Sequence, residues 1–284
     1  MIDRIRDTSP QANAIQLQIL RRMSPARRAS LATSLSRTVM VSSRQGIARR
    51  APTLTPQQII ATAIAINYGA PSAVRVQPRL AISEDPMLDP LLHTALTPVI
   101  DLFDQLGIRY YLGGSLASSI HGVPRATLDA DVVAFMADFH IPILVQALQD
   151  TFYLSETAMH EALEQQDGYP SFNLIHLTMG VKIDVFVPPS TPYDEARMAR
   201  AHPTAFEEDP QARHFYVASA EDMILTKLAW YAAGNRTSER QWTDIQGMLT
   251  IQGDLLDRAY LQQWAPALDV VDLLDEAWAA AGLA

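Results

Sequence analysis

Apolar residues in the first 69 positions recur at helical spacing. Two stripes with a four-residue repeat stand out: Ile15, Ile19 and Met23, then Leu31, Leu35 and Val39. Three Ser-Pro or Thr-Pro pairs precede the periodic segments, and such pairs favour helix starts, because the hydroxyl caps the first turn and proline needs no hydrogen-bond donor there. The pattern predicts helices over 10–23, 25–49 and 56–68, each with one apolar stripe and an arginine-bearing remainder.

Beyond residue 91 the pattern alternates between helical periods and short apolar runs that are typical of strands. Strands are predicted over 108–112, 128–134, 172–177, 181–187 and 215–217. Helices are predicted over 91–106, 116–121 and 142–152, and the chain from 220 onward reads as helical. The predicted class is α+β: a mixed sheet flanked by helices, with a helical C-terminal tail and a small all-α N-terminal module. The predicted division is a module over 1–69, a proline-rich linker over 70–90, a core over 91–218 and its helical part over 219–284.

Composition narrows the class of protein. The 284 residues include no cysteine, which excludes disulfides, thiolate zinc sites and cysteine nucleophiles. The longest apolar run, 59–66, falls short of the roughly 20 residues that span a bilayer, and the N-terminus lacks the charged-then-apolar order of a signal peptide. These features predict a cytoplasmic protein with no membrane partner.

Charge is divided unevenly along the chain. Residues 1–79 hold 12 arginines and two aspartates, a net charge of +10, whereas residues 80–284 carry a net charge of −19. Such a split indicates either an arm that binds nucleic acid or two parts of one chain that attract each other. In the second case the basic module could also act as a tethered, antitoxin-like inhibitor.

Asp129 and Asp131 lie two residues apart on a predicted strand, so both carboxylates occupy one face. Adjacent anions repel each other unless a cation lies between them, and hard oxygen ligands of this kind suit Mg²⁺. A chance Asp-x-Asp at a solvated strand end is the alternative, since this half of the chain is rich in acidic residues.

Two further features favour the metal interpretation. Gly113, Gly114 and Ser115 lie at a strand-to-helix junction, where a phosphate can approach the backbone and the helix presents unpaired amides. Asp184 interrupts an apolar strand, where an unpartnered carboxylate would cost several kcal/mol. A glycine turn, a same-face carboxylate pair and a lone acid on a later strand together predict metal-assisted nucleotidyl transfer.

The order of these residues also resembles a known superfamily. Gly113-Gly114-Ser115, followed by Asp129-Ala130-Asp131 and then by Lys182-Ile183-Asp184, is similar to the pattern of the DNA polymerase β nucleotidyltransferases. The segment 125–133 most resembles AbiEii-type bacterial nucleotidyltransferases, toxins of type IV toxin–antitoxin systems. The segment 220–228, with Lys227, and the segment 238–245 are similar to two later helices of that group. The resemblance covers about residues 91–284.

The resemblance implies a role for each matching residue. Asp129 and Asp131 would hold Mg²⁺ on a nucleoside triphosphate, and Asp184 would complete a second metal position and help activate the acceptor hydroxyl. The Gly113–Ser115 turn would cradle the phosphates, and Lys227 would neutralise the leaving pyrophosphate. Arg125 would contact phosphate or brace the aspartate pair, a surface arginine that closes a turn being the alternative.

The expected function is Mg²⁺-dependent transfer of a nucleoside monophosphate from an NTP to a hydroxyl on RNA, tRNA or protein, with a possible link to toxin–antitoxin systems. A catalytically silent nucleotide- or RNA-binding scaffold, or an antitoxin-like partner, is the alternative. Asp244 is expected to bridge two helices rather than to bind a ligand. Either Tyr110 or Tyr111 could stack on a base, although aromatic residues in strands usually belong to the core.

Overall fold

A computed structural model describes residues 9–80, 92–165, 168–209 and 211–283. Over these residues the predicted α+β class is confirmed, with a mixed seven-stranded sheet flanked by helices. The helices are α1 Pro10–Arg22, α2 Pro25–Arg50, α3 Pro56–Tyr68, α4 Ala70–Val76, α5 Leu92–Leu106, α6 Gly114–His121, α7 Ile141–Leu148, α8 Glu156–Glu164, α9 Pro192–Arg200, α10 Ala220–Ala233, α11 Glu239–Gln252, α12 Arg258–Trp264 and α13 Val271–Ala281. The strands are β1 Tyr110–Leu112, β2 Asp129–Ala134, β3 Phe152–Tyr153, β4 Ser171–His176, β5 Lys182–Phe186, β6 His202–Ala205 and β7 His214–Val217.

The strand order in the sheet is β3-β4-β5-β2-β1-β7-β6. The pairs β2–β5 and β1–β7 are parallel, and the other neighbouring pairs are antiparallel. The two strands with predicted site residues, β2 and β5, are therefore central neighbours. Their apolar residues, such as Val132 and Ile183, are fully buried, which holds this part of the sheet in one register.

The predicted helix starts of the N-terminal part are confirmed. Ser9, Ser24 and Thr55 are the N-caps of α1, α2 and α3, and each side chain accepts from a backbone amide of the first turn, with proline in that turn. The sequence pattern does not predict α4, α8, α9, β3 or β6, which are short or carry few apolar residues.

The predicted linker over 70–90 needs a correction. Ala70–Val76 is helical, because Gly69 turns the chain with a φ of 90° and the buried side chains of Ala73 and Val76 join an apolar cluster with α3 and β4. Residues 81–90 lie outside the described residues. The division of the chain into a module and a catalytic part stays a prediction.

Helix α2 packs on the rest of the chain through an unexpected face. Leu31, Leu35 and Val39 are exposed, whereas small residues such as Ala29 and Ala32 are fully buried and belong to the main hydrophobic core. Small side chains allow the backbone of α2 to lie close to α6, and this proximity decides which face is buried.

Two buried arginines of α2 also attach this helix to the rest of the chain. Arg28 donates to the carbonyl of Ile120 at 2.5 Å, and Arg44 donates to the carbonyl of Met179. The positive N-terminal helices are thus attached partly through backbone carbonyls, beside an exposed ion pair between Arg27 and Glu208. Among the described helices, none combines the length and apolar character that crossing a bilayer requires.

Candidate active site

The glycine turn and the aspartate pair meet at the end of β1. Gly114 has a φ of 56°, and a Cβ at this position would lie 1.6 Å from Oδ2 of Asp131. The amide of Gly113 donates to the carbonyl of Asp131 at 2.8 Å. A side chain at position 114 would therefore displace the carboxylate, and glycine is required by this close approach.

The sheet brings the three predicted carboxylates onto one face. Asp131 lies directly opposite Asp184 in the parallel register of β2 and β5, and Asp129 precedes Asp131 by two residues. Burial, together with the charges of Asp129 and Asp184, raises the pKa of Asp131 to about 6. Burial also raises the pKa of Asp184, although Lys182 opposes the shift. The cluster therefore concentrates negative charge that a cation would neutralise.

Two of these carboxylates have close partners. The hydroxyl of Thr127 donates to Oδ1 of Asp129 at 2.8 Å, and Nζ of Lys182 lies 2.7 Å from Oδ2 of Asp184. The described parts of the chain contain no group of three or more His, Asp or Glu side chains already arranged around a metal position. Asp129 and Asp131 have the donor chemistry that Mg²⁺ prefers, and their mutual repulsion fits a cation between them. Asp184 stands next to them, with its Oδ2 atom engaged by Lys182.

A buried ion network links the glycine turn to the C-terminal helices. Arg125 donates two hydrogen bonds to Asp244, at 2.8 and 2.7 Å, and another to the hydroxyl of Ser115 at 2.7 Å. Nζ of Lys227 lies 2.9 Å from Oδ2 of Asp244 and donates to Gln241. Asp244 thus connects α11 with α10 and with the segment before β2, as expected for a bridge between helices.

Burial and charge act against each other in this network. Burial lowers the pKa of Lys227, and Asp244 partly restores it. Burial also disfavours the charged form of Asp244, but the hydrogen bonds from Arg125 and the charge of Lys227 outweigh it, so the pKa of Asp244 lies below its usual value. Two cations share one carboxylate, which leaves net positive charge beside the acidic cluster.

A cavity of about 290 Å³ lies between these groups. Its polar end is lined by the glycine turn, Asp129, Asp131, Lys227, Arg240 and Gln241. Its other end is lined mostly by rings: Tyr111, Tyr169, Phe186 and Trp230, together with Arg197. The cavity therefore has a region suited to phosphates and metal and a region suited to a ring or an apolar body.

Apart from Tyr111, the residues of the aromatic end are not predicted from the sequence. Tyr169 and Trp230 lie with ring centroids 5.7 Å apart and are 37% and 42% exposed, so a flat ligand could stack on them. Arg197 is buried among Tyr111, Tyr169 and Tyr193 and pairs with Asp194. The helix of Arg197 begins at a Thr191-Pro192 pair, the kind of pair that predicts the N-terminal helices, and Thr191 also forms a capping box.

The structure separates the remaining candidates. Tyr111 faces the cavity, whereas Tyr110 packs against Phe103 and Tyr216. All of the predicted site residues except Arg125 and Asp184 line the cavity itself. Arg125 donates a hydrogen bond to Ser115, which does line the cavity, and Asp184 stands beside Asp131 in the sheet.

No protein-family model matches the sequence, and no curated protein matches it. Among solved structures with a similar fold is an antigenic nucleotidyltransferase-like protein from Paracoccidioides brasiliensis, 19% identical, covering 63% of this chain and 92% of that one, with a TM-score of 0.39. Another is the antibiotic-resistance factor ANT(2'')-Ia, 13% identical, covering 62% and 94%, with a TM-score of 0.40. A third is the lincosamide antibiotic adenylyltransferase LnuA, 16% identical, covering 56% and 96%, with a TM-score of 0.36.

Proposed function

We propose that the protein is an enzyme, a nucleotidyltransferase that transfers a nucleoside monophosphate from an NTP to a hydroxyl acceptor. The observation that carries the proposal is the polar end of the cavity. There a glycine turn at a helix start, a same-face pair of aspartates and a buried lysine lie together around a space open to a ligand. Acidic and basic groups around one space suit a metal-bound triphosphate.

Mg²⁺ is the proposed cofactor, and Asp129 and Asp131 would hold it. The ion would neutralise the phosphates and polarise the bond to the α-phosphorus. Its binding would compete with the proton on Asp131, whose pKa of about 6 leaves the carboxylate mostly ionised at neutral pH.

The residues of the chain would bind and orient the reactants. The amide of Ser115 donates to the carboxylate of Asp131, so the phosphates would approach the start of α6 at Gly114, where the helix dipole favours an anion. The acceptor oxygen forms a bond to the α-phosphorus while the bond from that phosphorus to pyrophosphate breaks. Asp184 would accept the hydroxyl proton once released from Lys182, and Lys227 would neutralise the departing pyrophosphate. Arg125 would hold Ser115 in place.

We further propose RNA, tRNA or a protein as the acceptor and a cytoplasmic, toxin–antitoxin-related role. The resemblance of residues 91–284 to AbiEii-type enzymes supports this more specific proposal. A silent nucleotide-binding scaffold remains a second candidate, and the ion pair between Lys182 and Asp184 favours it, because that pair engages the carboxylate that would accept the proton.

The test is to incubate the purified protein with Mg²⁺, each of the four α-labelled NTPs, total tRNA and cell lysate, and to separate the products on a gel. Asp129→Ala is the inactive variant, and Asp150→Ala, at an exposed turn after α7, is the matched control. Label on RNA or protein with wild type and Asp150→Ala, but not with Asp129→Ala, is expected.

The same gel names the nucleotide and the acceptor class. Equal labelling by wild type and Asp129→Ala would reject the site. NTP binding without labelling of any acceptor would favour the silent scaffold.

A further inference from the structure

The segment 124–128, between α6 and β2, delivers the aspartate pair to the sheet and has no regular secondary structure of its own. Its backbone groups therefore need partners from elsewhere in the molecule. Arg125 anchors its beginning to Asp244 and Ser115. Side chains of the N-terminal helices anchor its end.

Ser36 of α2 is the first of these side chains. Its hydroxyl oxygen accepts the amide of Thr127 at 2.9 Å, and both residues are only 1% exposed. The hydroxyl of Thr127 in turn donates to the carboxylate of Asp129 at 2.8 Å. A chain of two hydrogen bonds thus runs from α2 to a proposed metal ligand.

Tyr68 of α3 is the second side chain that anchors this segment. Its hydroxyl donates to the carbonyl of Leu128 at 2.5 Å, immediately before Asp129. Nζ of Lys182, the partner of Asp184, lies 5.4 Å from the centroid of its ring. Tyr68 therefore contacts the residue directly before Asp129 and the residue two positions before Asp184.

The N-terminal helices contact the aspartate-bearing strand without lining the cavity. The residues that line the cavity all belong to the part after residue 110, and none of the described residues 9–80 is among them. These helices consequently leave the cavity open in this structure, while their side chains contact the strand that carries the aspartates.

We infer that Ser36 and Tyr68 are positioning residues for Asp129 and Asp184, so that the N-terminal helices are a structural part of the site. The inference rests on the proposed function. It goes beyond the attraction between two parts of the chain that the charge split predicts, and it differs from a nucleic-acid arm and from a tethered inhibitor. Groups that orient a metal ligand without touching the metal typically change metal affinity or activity by about 10–100-fold when removed.

The test measures Mn²⁺ affinity by electron paramagnetic resonance, and nucleotidyl transfer at saturating Mg²⁺, in full-length variants. Ser36→Ala and Tyr68→Phe are each expected to weaken Mn²⁺ binding and slow transfer about tenfold. Thr33→Val is the matched control, because this buried hydroxyl on the same helix donates to carbonyls of its own helix. It should behave as wild type, and thermal unfolding is used to check that every variant is folded.

A double-mutant cycle tests whether Ser36 acts through Thr127. Ser36→Ala combined with Thr127→Val should lose little more than Thr127→Val alone, and Thr127→Ser, which keeps the hydroxyl, should restore the affinity. Strictly additive losses would contradict the proposed chain of hydrogen bonds.

The outcomes separate this inference from the proposed function. Unchanged Mn²⁺ affinity in Ser36→Ala and Tyr68→Phe would overturn the inference even if the wild type is an active transferase. Mn²⁺ binding that is weakened in both variants, with no transfer by the wild type, would support positioning and reject the function. A wild-type protein that binds no Mn²⁺ would reject both.

Discussion

Replacing Asp131 by asparagine is expected to stabilise the metal-free protein while removing its activity. The carboxylate is half-buried beside Asp129 and Asp184, and burial together with these two charges raises its pKa to about 6, above the ordinary value of 3.8. A carboxyl group with a raised pKa binds its proton more tightly in the folded state than in the unfolded state. The free energy of unfolding therefore falls as the pH rises from 3.8 towards 6, and the whole cost is present above that range.

The pKa difference sets the magnitude. At about 1.4 kcal/mol for each pKa unit, the ionised carboxylate destabilises the folded state by about 3 kcal/mol near pH 7.5 and by roughly half of that near pH 5. Asparagine has nearly the same shape, its carbonyl can still accept from the amide of Ser115, and it carries no charge. The variant should be more stable than wild type by these amounts.

Urea unfolding in EDTA at both pH values measures the difference, with Asp150→Asn as an exposed control that should match wild type. Added Mg²⁺ should stabilise wild type and leave Asp131→Asn unchanged, since binding to the folded state alone adds stability. Transfer by the variant should fall by about two to four decades. An Asp131→Asn protein that is no more stable than wild type, at either pH, would refute the electrostatic account of the site.

Three other substitutions test separate parts of the cavity. Gly114→Ala should lower the activity, and it should lower the free energy of unfolding by about 1–3 kcal/mol, because its Cβ would overlap Asp131. Gly46→Ala in α2 is the control: its new Cβ meets nothing within 4 Å, so it should not destabilise the protein in the same unfolding assay. Lys227→Met should raise the KM for NTP by about tenfold or more in steady-state kinetics, because the cation proposed to face the phosphates is lost; an unchanged KM would place the triphosphate elsewhere. Trp230→Ala should weaken binding of nucleotide or acceptor by about 1–3 kcal/mol if a base stacks there, and Trp230→Phe should retain most of it in the same titration.

Much of the local structure could be predicted from the sequence. Helix starts at Ser9, Ser24 and Thr55 depend on a hydroxyl and a proline within one turn, and the conformation at Gly114 depends on a residue without a side chain. The period of two within β2 places Asp129 and Asp131 on one face whatever the strand pairs with. These features involve neighbours within a few residues, so the printed order is enough to predict them.

Contacts between distant segments could not be predicted in this way. Arg125 and Asp244 are 119 positions apart, and Ser36 and Thr127 are 91 apart, so only the folded chain brings them together. The apolar stripe of α2 illustrates the limit, because Leu31 and Leu35 satisfy the helical period yet lie exposed. A stripe shows which residues could be buried, whereas the close approach of α2 to α6 decides which face is buried.

The candidate site combines both kinds of information. The sequence by itself determined the residues of the glycine turn, the aspartate pair and the lone Asp184, because each is a chemical type at a local spacing. Tertiary structure decided that Asp184 stands beside Asp131, that Lys182 engages it and that aromatic rings close the other end of the cavity. Strand register, long-range ion pairs and cavity walls depend on which surfaces are buried together, and that is a property of the whole folded chain.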